Sequence, residues 1–231
     1  MTRSLVIAVD GPSGSGKSSV SREVARQLGA RYLDTGAMYR AATLWFLQHD
    51  VDVHDPDQVR LSVGIPLLEM DTDPQQPSIR LDGVDVGSRI READVTAAVS
   101  YVSAVPELRA RLVELQRTAV ADAIGTGFGI VVEGRDIGRV VLPDADVKIF
   151  LTADVDVRAE RRHREEVERG SAVDAAGAMS SITDRDAIDT TRAASPLLKA
   201  EDAVVIDATE LGIEDVVGLI LELADARDLR H

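Results

Sequence analysis

The sequence predicts an α/β protein: a five-stranded parallel sheet flanked by helices, with a small β-rich insertion and a lid. Three observations carry that reading. Short apolar runs alternate with helical patterns along most of the chain. The first apolar run leads directly into a glycine-rich loop and then a helix. The middle of the chain breaks the rhythm, with short segments separated by turn dipeptides.

The strand-like runs lie at 5–10, 31–33, 129–133, 147–151 and 203–207. Four of them are mostly apolar, as strands buried on both faces should be. Helical patterns cover 18–28, 37–48, 106–124, 155–169, 174–188 and 213–226. In the middle, 67–71, 78–81 and 84–86 read as small antiparallel strands, with Asp73-Pro74 and Asp82-Gly83 supplying turn chemistry between them. Residues 62–95 are therefore expected to form a compact insertion, with 1–61 and 96–231 as the core around it. The stretch 170–177 is rich in small residues and suits a joint.

Gly11-Pro12-Ser13-Gly14-Ser15-Gly16-Lys17-Ser18 fits the pattern G-x-x-x-x-G-K-[ST], and Ser19 continues it into the helix. An apolar strand before the loop and a helix after it supply the context that the bare pattern lacks. Glycines let the backbone wrap close to phosphate oxygens, and N–H groups at the helix N-terminus point at the anion. Lys17 would reach the β/γ-phosphates. The Ser18 hydroxyl would ligate Mg²⁺, which takes oxygen ligands and few protein groups. A nucleoside triphosphate, with ATP first, is the expected ligand. Asp10, just before the loop, fits either a support residue or a plain strand-end acid.

Composition removes several alternatives. The net charge is −14 and aromatic residues make up 3% of the chain, so sequence-tolerant nucleic-acid binding has neither a basic surface nor stacking platforms. Cysteine is absent, which excludes disulfides, thiolate metal sites and a cysteine nucleophile. His49, His54, His163 and His231 show no metal-ligand spacing. No apolar run approaches the ~20 residues of a membrane span. The opening Met1-Thr2-Arg3-Ser4 leads into a strand rather than a signal peptide, and a cytoplasmic location is expected. The basic residues are 23 Arg against 3 Lys, and planar guanidinium groups suit bidentate phosphate recognition.

A second substrate site is needed beside the loop, and four clusters offer it. Thr35 reads as the N-cap of a helix whose first turn carries Tyr39 and Arg40. Glu133-Gly134-Arg135-Asp136 ends a buried strand, and the carboxyl ends of parallel strands face the ligand crevice. Arg158, Arg161 and Arg162 suit a lid closing on phosphates. They also fit a solvated helix, since Glu165 and Glu166 lie four residues beyond Arg161 and Arg162. Arg185, Asp189 and Arg192 share one helix face, at i, i+4 and i+7.

Together the pieces 11–19, 33–41, 133–151 and RD-x-x-D-x-x-R-x-x-SPL at 185–197 resemble the bacterial cytidylate kinases along almost the whole chain. These are nucleoside monophosphate kinases of the P-loop kinase fold. The resemblance implies transfer of a phosphoryl group from ATP to CMP or dCMP, with Mg²⁺, by a cytoplasmic monomer acting on free nucleotides. It matches Ser100, Arg109 and Asp136 to contacts with the cytosine edge. Thr35, Tyr39, Asp189 and Arg192 match contacts around the acceptor sugar. Arg40, Arg135 and Arg185 match contacts with its phosphate. Lys17, Arg158, Arg161 and Arg162 are the expected charge-neutralising groups. Glu133 stands where aspartate is common, which leaves a Mg²⁺-linked role for it open. The segments 154–170 and 62–95 are the expected moving parts. A P-loop kinase for another small metabolite is the nearest alternative. A guanine-reading N-K-x-D motif is impossible, because the chain contains no Asn.

Overall fold

The structure, a computed structural model, describes residues 4–168, 170, 174–191 and 196–228. Its centre is a parallel sheet. The strands are β1 (Val6–Asp10), β2 (Arg31–Asp34), β6 (Ile130–Gly134), β7 (Val147–Thr152) and β8 (Val204–Asp207). Their order across the sheet is β2-β6-β1-β7-β8, with every neighbouring pair parallel. The expected strands are all present, displaced at most by a residue at either end.

Alternate residues of the central strands serve two apolar clusters. On one face Ile7, Val9, Val131, Ile149 and Leu151 pack under α1 (Lys17–Gln27) and α8 (Ile213–Asp228). On the other, Ala8, Leu33, Ile130 and Val132 pack against α2 (Thr35–Gln48) and α5 (Pro106–Gly125). Burial on both faces explains why these strands are apolar runs rather than alternating ones. Helix α2 is itself buried around much of its girth, through Met38, Ala41, Ala42, Leu44, Trp45 and Phe46. It is sandwiched between the main sheet and a second, smaller sheet.

That second sheet is antiparallel: β3 (Leu68–Asp71), β4 (Ser78–Leu81) and β5 (Val84–Asp85). Leu68, Ile79, Leu81 and Ile90 join the same cluster as α2 and α5, so this sheet shares a core instead of building its own. Polar ties reinforce it. The Tyr32 N–H donates to Thr72 O at 2.9 Å, along the outer edge of β2, and Arg111 donates to the carbonyls of Val63 and Pro66.

Two helices escape the sequence reading. Helix α3 (Pro56–Ser62) opens with proline at its start and Asp55 capping Asp57 N at 2.9 Å. Helix α4 (Ala93–Val102) carries valines and a threonine and lacks a side-chain cap, so its propensity signal is weak. Packing against α2 overrides it. Helices α6 (Val155–Glu168) and α7 (Ala175–Thr191) lie against each other over the carboxyl ends of the strands.

Candidate active site

The phosphate loop spans the gap between β1 and α1. Gly11 has φ +152°, and a Cβ there would sit 2.0 Å from Leu151 O, so only glycine lets the chain turn this closely past β7. Gly14, at φ +74°, faces Arg158 O in the same way. The N-cap of α1 is Gly16, with no side-chain cap. Its first-turn N–H groups are therefore free to meet an anion. Lys17 folds back along the loop: its Nζ donates to Pro12 O at 2.7 Å and to Ser15 Oγ at 3.4 Å. Burial, then the charge of Arg135, lowers its pKa to about 7.

Cations brace the loop from outside. Arg158 donates to Ser13 O at 3.1 Å, to Ala153 O at 2.9 Å and to Asp186 at 2.5 Å, which joins α6 to both the loop and α7. Arg135 donates to Gly11 O at 2.5 Å and to Asp189 at 2.8 Å. Arg185 reaches Ser13 Oγ at 3.4 Å, and its buried Nε has no hydrogen-bond partner among the described residues.

One cleft joins the loop to the acceptor clusters. Its walls include Ser13, Gly14, Gly16, Lys17, Ser18 and Ser19 on the loop side. Across from them stand Thr35, Tyr39, Arg40, Ser100, Arg109, Arg135, Asp136, Arg162, Arg185 and Asp189. Sixteen residues singled out in the sequence thus converge on one cavity. Gly11, Pro12 and Ser15 shape the loop behind it. Arg158 braces the loop without lining the cleft. Arg192 lies outside the described residues.

Arg161 is not brought to this cleft. Its guanidinium donates to Ala208 O at 2.7 Å and borders a separate cavity of about 220 Å³ on the outer flank of the loop, with Gly14, Ser19 and Gly212. Adjacent positions on a helix are turned about 100° from each other, which carries Arg161 away from the face that Arg162 presents to the cleft. Arg162 does face the cleft, paired with Glu166 and, at 3.6 Å, with Glu165.

Thr35 does not cap α2. Asp34 does, accepting from Ala37 N at 3.0 Å. The Thr35 hydroxyl is drawn instead to Glu133 O at 2.7 Å, across the gap to β6. It ties the acceptor wall to the strand end carrying Arg135 and Asp136.

Two electrostatic features distinguish the acceptor side. Arg109 and Asp136 form a buried ion pair, each side chain only 7% exposed. Arg109 also donates to Ser103 O at 3.2 Å and lies over the Tyr39 ring. The second is a cluster of guanidinium groups. Arg40 donates to Ile90 O and Thr96 Oγ1 at 3.0 and 2.9 Å. Burial and its neighbours Arg185, Arg162 and Arg91 push its pKa well below the usual range. Burial and Arg135 likewise lower Arg185 to about 10. Like charges packed this way raise one another's energy, and an anion entering the cleft relieves it. The cluster gives a −14 chain a strongly positive interior site.

Residues missed by the sequence reading also line the cleft: Asp34, Arg91, Ser103 and Glu165. Arg91 sits on a single 3-10 turn, Arg89–Arg91, within the region read only as β-rich, where no periodicity marks it. It faces Asp34 at 3.6 Å.

Glu133 is buried at the loop's mouth, where it accepts a hydrogen bond from the Tyr32 hydroxyl and has the Ser18 hydroxyl beside it. Burial, then the charge of Asp34, raises its pKa to about 7. The Ser18 hydroxyl and this carboxylate form an oxygen-only donor set beside the phosphate-binding amides. That suits Mg²⁺, which keeps most of its ligands as water and phosphate oxygens.

Among known proteins, the family model described as cytidylate kinase matches residues 7–226. The cytidylate kinase of Rhodococcus opacus is 53% identical over 98% of this chain and 97% of its own length. That of Nocardia farcinica is also 53% identical, over 92% and 90%. Among solved structures, an uncharacterized protein from Eubacterium ventriosum superimposes with a TM-score of 0.50 at 12% identity, covering 96% of this chain and 98% of its own. That last likeness concerns the fold alone. A family match over nearly the whole length, joined by relatives at half identity, makes this chain a member of the cytidylate kinase family.

Proposed function

We propose that the chain transfers the γ-phosphate of ATP to CMP or dCMP, giving ADP and CDP or dCDP. One observation carries the reading: a single cleft joins a phosphate-binding loop to a guanidinium cluster and a buried Arg–Asp pair. The cluster takes the acceptor phosphate and the pair takes the base.

Lys17 and the amides of the loop hold the donor phosphates. Arg40, Arg135 and Arg185 hold the acceptor phosphate, and Arg162 enters from α6. The acceptor oxygen is already an anion near neutral pH, so positioning and charge neutralisation suffice and no strong general base is needed. Ser18 and Glu133 would hold Mg²⁺, which when bound neutralises charge on the β- and γ-oxygens. Arg158 keeps the loop carbonyls in place. Arg161 and the cavity beside it are assigned to the donor nucleoside. Thr35, Tyr39, Asp189 and Arg192 are assigned to the acceptor sugar. Closure of 154–170, together with the region 62–95, would exclude water and so limit loss of ATP to hydrolysis.

Asp136 reads the base. A carboxylate accepts from the cytosine amino group, whereas uracil offers a carbonyl and two acceptors then face each other. The same reading takes the chain to work as a cytoplasmic monomer on free nucleotides, since one chain supplies both sides of the cleft.

A coupled ADP-release assay with ATP and Mg²⁺ tests the proposal, supplying CMP, dCMP, UMP, AMP and GMP in turn. Strong turnover on CMP and dCMP with weak UMP is expected. No turnover on any of them removes the acceptor assignment.

A further inference from the structure

Asp10 belongs to none of the roles assigned above. It ends β1 immediately before Gly11, and its side chain points into the protein, with the residue 4% exposed. Its Oδ1 accepts the Ile137 N–H at 2.7 Å and its Oδ2 accepts the Gly138 N–H at 2.8 Å. Those two amides directly follow Arg135-Asp136. Burial pushes the carboxyl up to about pH 6 in spite of both donors. An apolar side chain would escape that desolvation but would leave two buried N–H groups without acceptors.

A second rung runs in the opposite direction, from the Arg135 guanidinium to Gly11 O at 2.5 Å. The backbones are also neighbours, since Asp10 pairs with Gly134 at the last rung of the β1–β6 ladder. Strand β6 stops there. The chain beyond it turns through Asp136 into one π-helical turn, Ile137–Val141. Arg109 and Asp189 grip the side-chain tips of Asp136 and Arg135, while Asp10 grips the turn's backbone.

We propose that Asp10 is a positioning residue for the acceptor. Its carboxylate locks the 135–138 turn to the start of the phosphate loop, so that Asp136 and Arg135 meet the acceptor in register with the donor. Asp10 acts through Ile137 and Gly138 and touches neither nucleotide. The inference rests on the acceptor-site reading above.

Asp10→Asn tests it. The amide oxygen can accept one of the two N–H groups, but its NH₂ then faces the other, donor against donor. The readouts are kcat and KM for CMP, UMP and ATP separately, with thermal unfolding alongside. The preference for CMP over UMP in kcat/KM falls about tenfold and KM for CMP rises, while KM for ATP stays within about twofold, as expected for a displaced acceptor contact. A folded variant with a lower Tm and an unchanged CMP/UMP preference overturns the proposal. Asp136→Asn in the same assay separates the two levels. If it leaves the preference intact, the acceptor-site reading falls. If it narrows the preference and Asp10→Asn does not, only this inference falls. Should Asp10→Asn not fold, Asp10→Ser replaces it, being smaller and still able to accept one N–H. If neither folds with CMP present, Asp10 is a folding residue and the proposal is overturned.

Discussion

Replacing Asp136 by asparagine changes the base-reading group while leaving its volume. In the native chain one carboxylate oxygen, Oδ2, is engaged by Arg109 inside a pair whose side chains are each 7% exposed. Arg109 keeps a second acceptor at Ser103 O, 3.2 Å away, and stacks over Tyr39. In the variant the asparagine oxygen stays with Arg109, because the buried guanidinium has no other side-chain acceptor among the described residues. The NH₂ then occupies the position that meets the base. Cytosine now presents an amino group to an amino group, and uracil presents a carbonyl to a donor. A hydrogen bond to a charged group contributes about 1.5–3 kcal/mol, so kcat/KM on CMP drops roughly 10- to 100-fold. Relief of the uracil clash adds a similar factor, and the CMP/UMP preference shifts by at least about a hundredfold. Coupled ADP release at a series of CMP and UMP concentrations measures both ratios, with circular dichroism confirming the fold. A folded Asp136→Asn whose CMP/UMP preference stays within about twofold of the native value refutes base reading by this carboxylate.

Three further expectations follow from the same geometry. Lys17 has its pKa lowered to about 7, so at pH 8 it is mostly neutral in the free chain, and a bound triphosphate restores its charge. ATP binding at pH 8 therefore takes up most of one proton, read by calorimetry in buffers of different ionisation enthalpy; no uptake, or uptake that survives Lys17→Met, contradicts this. Gly11→Ala must drive a Cβ to 2.0 Å from Leu151 O, whereas a Cβ at Gly16 meets nothing within 4 Å and carries only the strain of φ +91°. Denaturant unfolding should show Gly11→Ala costing more than about 3 kcal/mol and Gly16→Ala less; the reverse order counts against the loop geometry. Arg185 is buried beside Arg135 and Arg162, with Asp189 and Asp186 also near it, and among the described residues its one hydrogen bond is weak, at 3.4 Å. Arg185→Met should hold or raise Tm while kcat/KM on CMP falls about a hundredfold, the stability–activity trade of a strained binding group. A lower Tm with activity retained would reverse that reading.

The main sheet was legible because its strands are buried on both faces and so appear as unbroken apolar runs. Helix α4 was not, since its valines suit strand as well as helix and its helical state comes from packing on α2. The phosphate loop announced itself through pattern plus context. Arg40, Arg135 and Arg185 could be picked out in their motifs, but their mutual proximity comes from elements far apart in the chain. Only family resemblance points to Ser100 and Arg109. Arg109 sits between Leu108 and Leu112 on the buried side of α5, and nothing local announces that an arginine there pairs with Asp136. Cap chemistry is local, so the sequence around Thr35 reads as a cap, whereas its true partner, Glu133 O, lies 98 residues away. Arg91 and Asp34 form a cross-cleft pair that no periodicity predicts. What periodicity and pattern encode is the scaffold and the donor loop. The acceptor site is assembled by tertiary contact.

The central claim is direct phosphoryl transfer across this cleft, and following the γ-phosphate itself tests it most directly. The chain would be incubated with γ-labelled ATP, Mg²⁺ and CMP, and the products separated. The account predicts label in the β-position of CDP, in amounts matching the ADP formed, with little free phosphate. Label released only as inorganic phosphate, or retained in ATP with CMP unchanged, would contradict it.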